Sequence, residues 1–250
     1  MIDAFELAPV TPIDASAGEV TVEIVGGALA MEASLAEAVE RRWAEMLAEN
    51  PRFHNGAILA IESFDPATNT LRARRDEYRR LAVQPQAPTR VRILSVTGMI
   101  VARDDEGREC LLLAQRSHQT RIYGGLWELA PSGGIDAPDD RTSSLTIDDV
   151  RRQLDAELRE ELGLGLDLSR ARPVALSVDG PGDAVDIILR LDTGTTIERL
   201  GLDDARANWE YTGVRWVALD DAREFARNHS RELIPPTRDV LAWLADPGQE

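Results

Sequence analysis

Ala156-Glu157-Leu158-Arg159-Glu160-Glu161-Leu162-Gly163-Leu164 places three carboxylates ahead of a glycine. On a helix, positions i, i+3 and i+4 share one face, so Glu157, Glu160 and Glu161 point the same way. Like charges at that spacing destabilise a helix unless something cationic sits among them. A hard divalent ion that takes oxygen ligands, Mg²⁺ or Mn²⁺, suits such a set. A solvated helix surface, with Asp155 and Arg159 as an ordinary i,i+4 pair, accounts for the same residues.

The residues just upstream favour a site. Thr146 is a plausible N-cap, and Asp148 and Asp149 fall in the first turn, where negative charge suits the helix dipole. Ile147, Val150, Leu154 and Leu158 form the stripe to be buried, and Gly163 fits the left-handed position past the end. The carboxylate face lies beside that stripe and not opposite it. The glutamates are therefore expected at the edge of the core, facing a cleft.

Further upstream, Tyr123-Gly-Gly-Leu-Trp-Glu-Leu-Ala-Pro-Ser-Gly-Gly134 carries two glycine pairs around Trp127. Glycine permits tight turns and close backbone approach to a ligand, so a phosphate cradle and a plain strand-turn-strand both fit. Residues 91–102 and 109–115 read as a hairpin across Asp104-Asp105-Glu106-Gly107. Residues 136–144 read as an acidic loop. Downstream, residues 184–191 and 213–218 read as strands, with Glu210 just ahead of the second. Residues 220–228 and 238–244 are short helical patterns separated by Pro235-Pro236.

The front of the chain opens with an extended lead-in over residues 1–18 and a strand at 21–25. A helix over 30–49 follows, with Leu35, Val39, Trp43 and Leu47 every fourth residue. Strands at 57–64 and 70–75 come next. Residues 72–80 hold five arginines and Tyr78, which suits a solvated edge strand or a ligand site. Gln84-Pro85-Gln86-Ala87-Pro88 is a linker candidate, since prolines stiffen the chain and lack donors. The expected division is a smaller α+β accessory domain at 1–86 and a larger domain at 87–250.

Composition narrows the function. The 250 residues are 43% hydrophobic and 29% charged, typical of a soluble globular chain. A net charge of −16 argues against nucleic acid or an anionic membrane as partner. Every one of the 28 Lys-plus-Arg positions is arginine, which reads as codon bias. The single cysteine, Cys110, excludes an internal disulfide framework. There is no run of 18 apolar residues and no basic leader at the start, so a cytoplasmic location is the expectation.

These residues resemble the Nudix hydrolases. That signature is Gly, five residues, Glu, seven residues, then Arg-Glu-apolar-any-Glu-Glu-any-Gly-apolar, and residues 157–164 match its tail. Residues 126–134 resemble the strand and Gly-Gly turn ahead of the family's helix. Residues 213–218, with Trp216, Val217 and the upstream Glu210, are similar to a late family strand. Three positions depart from the pattern: Ala156 stands in place of Arg, Asp148 in place of the first Glu, and residues 136–147 hold about eight extra residues. The front of the chain resembles, more loosely, that of a branch including UDP-sugar diphosphatases.

The resemblance implies an α/β/α sandwich with a mixed sheet. It also implies hydrolysis of a nucleoside diphosphate linked to another moiety, such as an NDP-sugar, with Mg²⁺ or Mn²⁺. Glu157, Glu160 and Glu161 would be metal ligands, with Glu160 and Glu161 catalytic. Arg116, Arg121, Trp127, Gly134 and Glu210 are the candidates for substrate contact. Two other readings stay open. One is a binding or regulatory protein that has lost catalysis, consistent with Ala156 and Asp148. The other is an isopentenyl diphosphate isomerase, which needs a cysteine in its active-site loop, whereas Cys110 lies in the preceding strand. The front domain is a candidate for gating substrate choice or for forming a homodimer surface.

Overall fold

The computed structural model describes residues 1–202 and 210–244. It opens with β1 (Ile2–Asp3), β2 (Val10–Pro12) and β3 (Thr21–Ile24), then α1 (Ala33–Glu49). The hairpin β4 (Ala57–Asp65) and β5 (Thr70–Glu77) leads to the short α2 (Tyr78–Ala82). β6 (Ile93–Arg103), β7 (Glu109–Arg116), β8 (Trp127–Leu129), β9 (Ser132–Gly134) and β10 (Ser144–Thr146) precede α3 (Ile147–Leu162). β11 (Arg172–Asp179), β12 (Ala184–Thr196), α4 (Ile197–Leu200), β13 (Tyr211–Ala218), α5 (Ala222–Asn228) and α6 (Pro235–Leu244) follow.

These strands join one mixed sheet whose main path is β10-β3-β5-β4-β6-β12-β11-β2. β7 branches from it, pairing with β6, β8 and β13, and β9 also pairs with β6. β6 and β12 run parallel, which needs a long crossover, and α3 lies on that crossover. Side chains alternate across a strand, and β6 divides them cleanly. Leu94, Val96 and Ile100 join a core with Val150, Leu154 and Leu158 of α3. Met99 and Val101 join a second core with Ala222 and Ala226 of α5 and Val240 and Leu241 of α6. Helices thus cover both faces, giving the expected α/β/α sandwich.

Helix α3 begins and ends as its sequence predicts. Asp149 reaches back one turn to accept from Thr146 N and Thr146 Oγ1, both at 2.7 Å. Gly163 closes the helix at φ 64°, a left-handed conformation that costs glycine nothing. Ile147, Val150, Leu154 and Leu158 are buried, as the spacing requires.

Two expectations need correction, and one strand was missed. Pro235 and Pro236 do not separate the last two helices; they form the first turn of α6, where a missing N–H costs nothing. β11 escaped the sequence reading because Pro173 and a register shift between Pro173 and Ala175 break its alternation. The arginines of residues 72–80 do not mark a solvated edge. β5 is paired on both sides, by β3 and β4. Asp76 is fully buried there, 3.2 Å from Arg74 and 3.1 Å from Arg80, both guanidiniums being nearly buried too.

The front and rear of the chain are joined through the sheet. β2 pairs with β11 and β3 with β10. Val20, Leu59 and Phe64 share one core with Leu94 and Ile187. Across the proline-rich stretch, Gln84 Nε2 donates to Val91 O and to Asp183 Oδ2, both at 2.9 Å. Among the described residues, no helix is long and apolar enough to cross a membrane.

Removing one partner of a buried ion pair leaves a stranded charge, at a cost of about 3–5 kcal/mol. Asp76→Ala strands the buried Arg80 guanidinium and leaves Arg74 its pair with Glu62, so its urea-unfolding free energy should fall by that amount. Arg42→Ala, whose partners Glu45 and Glu49 are exposed, should change it by less than about 1 kcal/mol.

Candidate functional site

The last two turns of α3 place the three glutamates in different surroundings. Leu158 and Leu162 hold the helix on the core, which turns Glu161 inward until it is 4% exposed. Glu161 Oε2 accepts from Ser132 N at 3.1 Å and from Tyr211 Oη at 3.1 Å. Glu157 is half-buried and accepts from Gln153 Nε2 at 2.8 Å. Its carboxylate lies so close to Gly133 that a Cβ there would overlap it, so the second glycine pair serves close approach to a side chain. Glu160 is exposed.

A second buried carboxylate meets this set from β8. Glu128 Oε1 accepts from Arg116 Nη1 at 2.5 Å and from Tyr211 Oη at 2.9 Å. Arg116 also donates from Nε to Ile122 O at 3.2 Å. Tyr211 therefore stands between Glu128 and Glu161 with its hydroxyl near both. Glu210, half-buried beside it, is fixed through its own carbonyl, which accepts from Ser117 N at 2.7 Å.

The carboxyl groups of this cluster are raised above their ordinary range. Burial pushes the Glu161 carboxyl up, and Glu210, Glu128 and Glu157 push it further. Burial also raises Glu210, with Arg116 opposing and Glu128, Glu157 and Glu160 adding to the rise. Glu157 is raised by burial first and then by Glu160 and Asp136. For Glu128, burial outweighs the pull of Arg116. Burial alone would lower Arg116, but Glu128 and the other anions around it turn the net shift upward.

Among the described residues, Arg116 pairs with Glu128 beside several further carboxylates. Such a donor set suits a hard divalent cation in charge and in ligand type. Among the described residues, however, no three His, Cys, Asp or Glu side chains are gathered into a ready-made metal cluster. The expected Glu157, Glu160 and Glu161 triad shares one helix face, but Glu161 is turned into the core and Glu160 outward.

In front of β9 lies a cavity of about 700 Å³. Four of the sequence candidates line it: Arg116, Arg121, Gly134 and Glu210. The α3 glutamates do not line it, but Glu161 and Glu157 touch Ser132 and Gly133 of β9, which do. Trp127 does not line it. Its ring packs against Arg215, 4.5 Å from the guanidinium carbon, over the α5 side of the sheet. Alternation explains this, since Trp127 and Leu129 share the face of that apolar core.

Two arginines of α3 near enough in sequence to stand in for the one absent at Ala156 are committed elsewhere. Arg152 pairs with Asp149 and Arg159 with Asp155, both pairs on the outer side of α3. Asp148 pairs with Arg151 at 2.7 Å and is largely exposed. Cys110 is buried at the start of β7 and does not line the cavity.

Sequence reasoning missed the floor of the cavity. Ser95, Thr97, Ser177, Asp179 and Asp186 all line it. Asp179 Oδ1 accepts from Tyr123 Oη at 2.6 Å and from Gly182 N at 2.9 Å. Asp186 Oδ1 accepts from Thr97 Oγ1 at 3.2 Å. The available signal was a carboxylate inside the apolar run of residues 184–191, an expensive placement unless it serves something.

Burial pushes Asp186 up to about 7, with Asp179 and Glu128 adding and the Thr97 bond opposing. A folded-state pKa above the unfolded one gives stability that is complete below the ordinary carboxylate pKa. That stability is lost as pH rises to about 7. Between those limits the loss runs at about 1.4 kcal/mol per pH unit. Asp186→Asn removes it, so the variant should gain on the wild type from about pH 4 to pH 7 and hold level above. Urea midpoints at each pH check this, and parallel curves would refute the burial argument.

No family model matches the sequence, and no curated protein matches it significantly. Solved structures do superpose on part of it. The MutT protein from Methanosarcina mazei Go1 is 20% identical, covering 63% of this chain and 96% of its own, at a TM-score of 0.41. A Nudix hydrolase from Alicyclobacillus acidocaldarius is 14% identical, covering 62% and 91%, at 0.43. The Nudix hydrolase RenU from M. smegmatis is 18% identical, covering 61% and 83%, at 0.39. Likeness at these levels carries neither substrate nor mechanism across.

Proposed function

We propose that the chain is a Nudix-type hydrolase that cleaves the diphosphate of a nucleoside diphosphate linked to another moiety, with a divalent cation. The observation that supports this best is the set of carboxylates Glu128, Glu157, Glu161 and Glu210, of which Glu128 and Glu210 line a substrate-sized cavity together with Arg116 and Arg121. Glu157, Glu160 and Glu161 would hold the cation. When bound, it supplies neutralisation of the diphosphate and acidifies water.

The chain's own residues do the rest. Arg121, exposed on the cavity wall, meets phosphate oxygens. Arg116 shares that wall, and its bond to Glu128 fixes where its remaining donors point. Glu161, pushed up to about 9 by burial and its anionic neighbours, holds a proton at neutral pH that a bound cation would displace. Tyr211 and Ser132 N keep that carboxylate turned toward β9. An NDP-sugar such as UDP-glucose is the first substrate to try.

A reading without catalysis has one observation in its favour. Ala156, at the position where the family carries arginine, is exposed and brings no charge to the site.

Because Glu160 is exposed, Glu160→Gln should leave the melting temperature unchanged. It should also lower Mg²⁺-dependent turnover by about 100-fold or more. The assay is phosphate-coupled hydrolysis of UDP-glucose, GDP-mannose, ADP-ribose, NADH and nucleoside triphosphates, with Mg²⁺ or with EDTA. Wild-type turnover that survives EDTA, or that Glu160→Gln retains, rejects the assigned ligands. Tight binding without turnover supports the non-catalytic reading instead.

A further inference from the structure

The cavity floor is polar in a pattern that the diphosphate end does not use. Cross-strand register sets Thr97 of β6 opposite Ser132 of β9 and Ser95 of β6 beside Asp186 of β12. It also sets Asp186 opposite Ser177 of β11. A row of polar side chains therefore crosses adjacent strands on one face. Strands lie about 4.8 Å apart, so Ser95, Asp186 and Ser177 span roughly 10 Å.

Part of the row is satisfied and part is not. Ser132 Oγ and Thr97 Oγ1 are 2.8 Å apart, and Thr97 Oγ1 donates to Asp186 at 3.2 Å. Ser177 is 0% exposed, yet its Oγ has no hydrogen-bond partner among the described residues. A buried hydroxyl left unpaired is unfavourable. Here it lines a cavity beside a buried carboxyl, which is where a ligand would complete it.

The walls say what kind of ligand. Leu81, Ile93, Ile188, Ile234 and Val240 line the cavity, and Phe53 and Tyr78 of the front segment line it too. A sugar carries hydroxyls around its whole rim, and apolar walls would leave many of them unpaired. A third phosphate would meet Asp179 and Asp186, and the row itself holds no cation. A heterocyclic base has two apolar faces and gathers its polar atoms along its edges. A carboxyl beside a hydroxyl can accept from an N–H and donate to the adjacent carbonyl or ring nitrogen.

We propose that Ser177, Asp186 and Thr97 form a nucleobase subsite whose walls include Phe53 and Tyr78, so that the front segment takes part in substrate choice within the same chain. This rests on the diphosphatase reading only in that base and diphosphate belong to one substrate.

Free nucleosides and free hexoses separate the two ends. Adenosine, guanosine, cytidine, uridine, glucose and mannose are titrated calorimetrically into the full-length wild type, Ser177→Ala and Phe53→Ala. At least one nucleoside should bind the wild type and neither hexose should. Each variant should weaken that nucleoside about tenfold. Ser177→Ala deletes an unpaired buried oxygen, so its melting temperature should hold or rise. A purely structural serine would shift melting without shifting the dissociation constant. Binding of a hexose alone, of nothing, or of a nucleoside equally well by all three proteins overturns the subsite. Nucleoside binding with these losses but no hydrolysis of any substrate overturns the hydrolase reading and leaves the subsite standing. Hydrolysis with unaltered nucleoside affinity in both variants does the reverse.

Discussion

The hydrogen-bonded chain from Arg116 through Glu128 and Tyr211 to Glu161 is the constraint around which this molecule is arranged. Arg116 leaves the end of β7, Glu128 comes from β8, Tyr211 from β13, Glu161 from α3 and Ser132 from β9. Bonds of 2.5–3.1 Å link these five elements into one chain. Low local dielectric strengthens each bond and makes each unpaired group expensive, so the elements cannot shift independently. The neutral hydroxyl of Tyr211 stands between Glu128 and Glu161. It can donate to only one of them at a time.

The sheet behind this chain uses one rule twice. Alternation along β6, β11 and β12 puts Met99, Ala175 and Ile188 under α5 and α6 as ordinary core. Toward the other end, Ser95, Thr97, Ser177 and Asp186 lie on that same face. The same face is thus a packing surface at one end and a recognition surface at the other. The change falls where the covering helices give way to residues around Phe53 and Tyr78.

What could be read beforehand followed local physics. The boundaries of α3, its apolar stripe and its glycine stop depend on neighbours within a turn or two, and the sequence displays them directly. The same holds for the hairpin of β4 and β5. The fate of each glutamate on α3 depended instead on β9 and β13, and spacing alone could not separate buried Glu161 from exposed Glu160. Asp76 was hidden among arginines that looked solvated, because its burial is decided by β3 and β4 pairing on either side. Trp127 looked like a ligand contact because it lies among glycines, yet strand alternation turns it to the other apolar core. Ser177 gave no local signal at all, since β11 begins with a proline and a register shift.

The strand order also carries a consequence for how the chain folds. Thr11 pairs with Leu176, and Val22 pairs with Leu145. Segments made first are thus held by segments made much later, on both sides of β6 and β12. Loop-closure entropy must be met before such distant pairings stabilise anything, which slows folding relative to chains built from neighbouring contacts. Until β11 and β10 arrive, β2 and β3 present unpaired backbone edges that can associate with other chains. The high negative charge gives a newly made chain some protection through mutual repulsion during that interval.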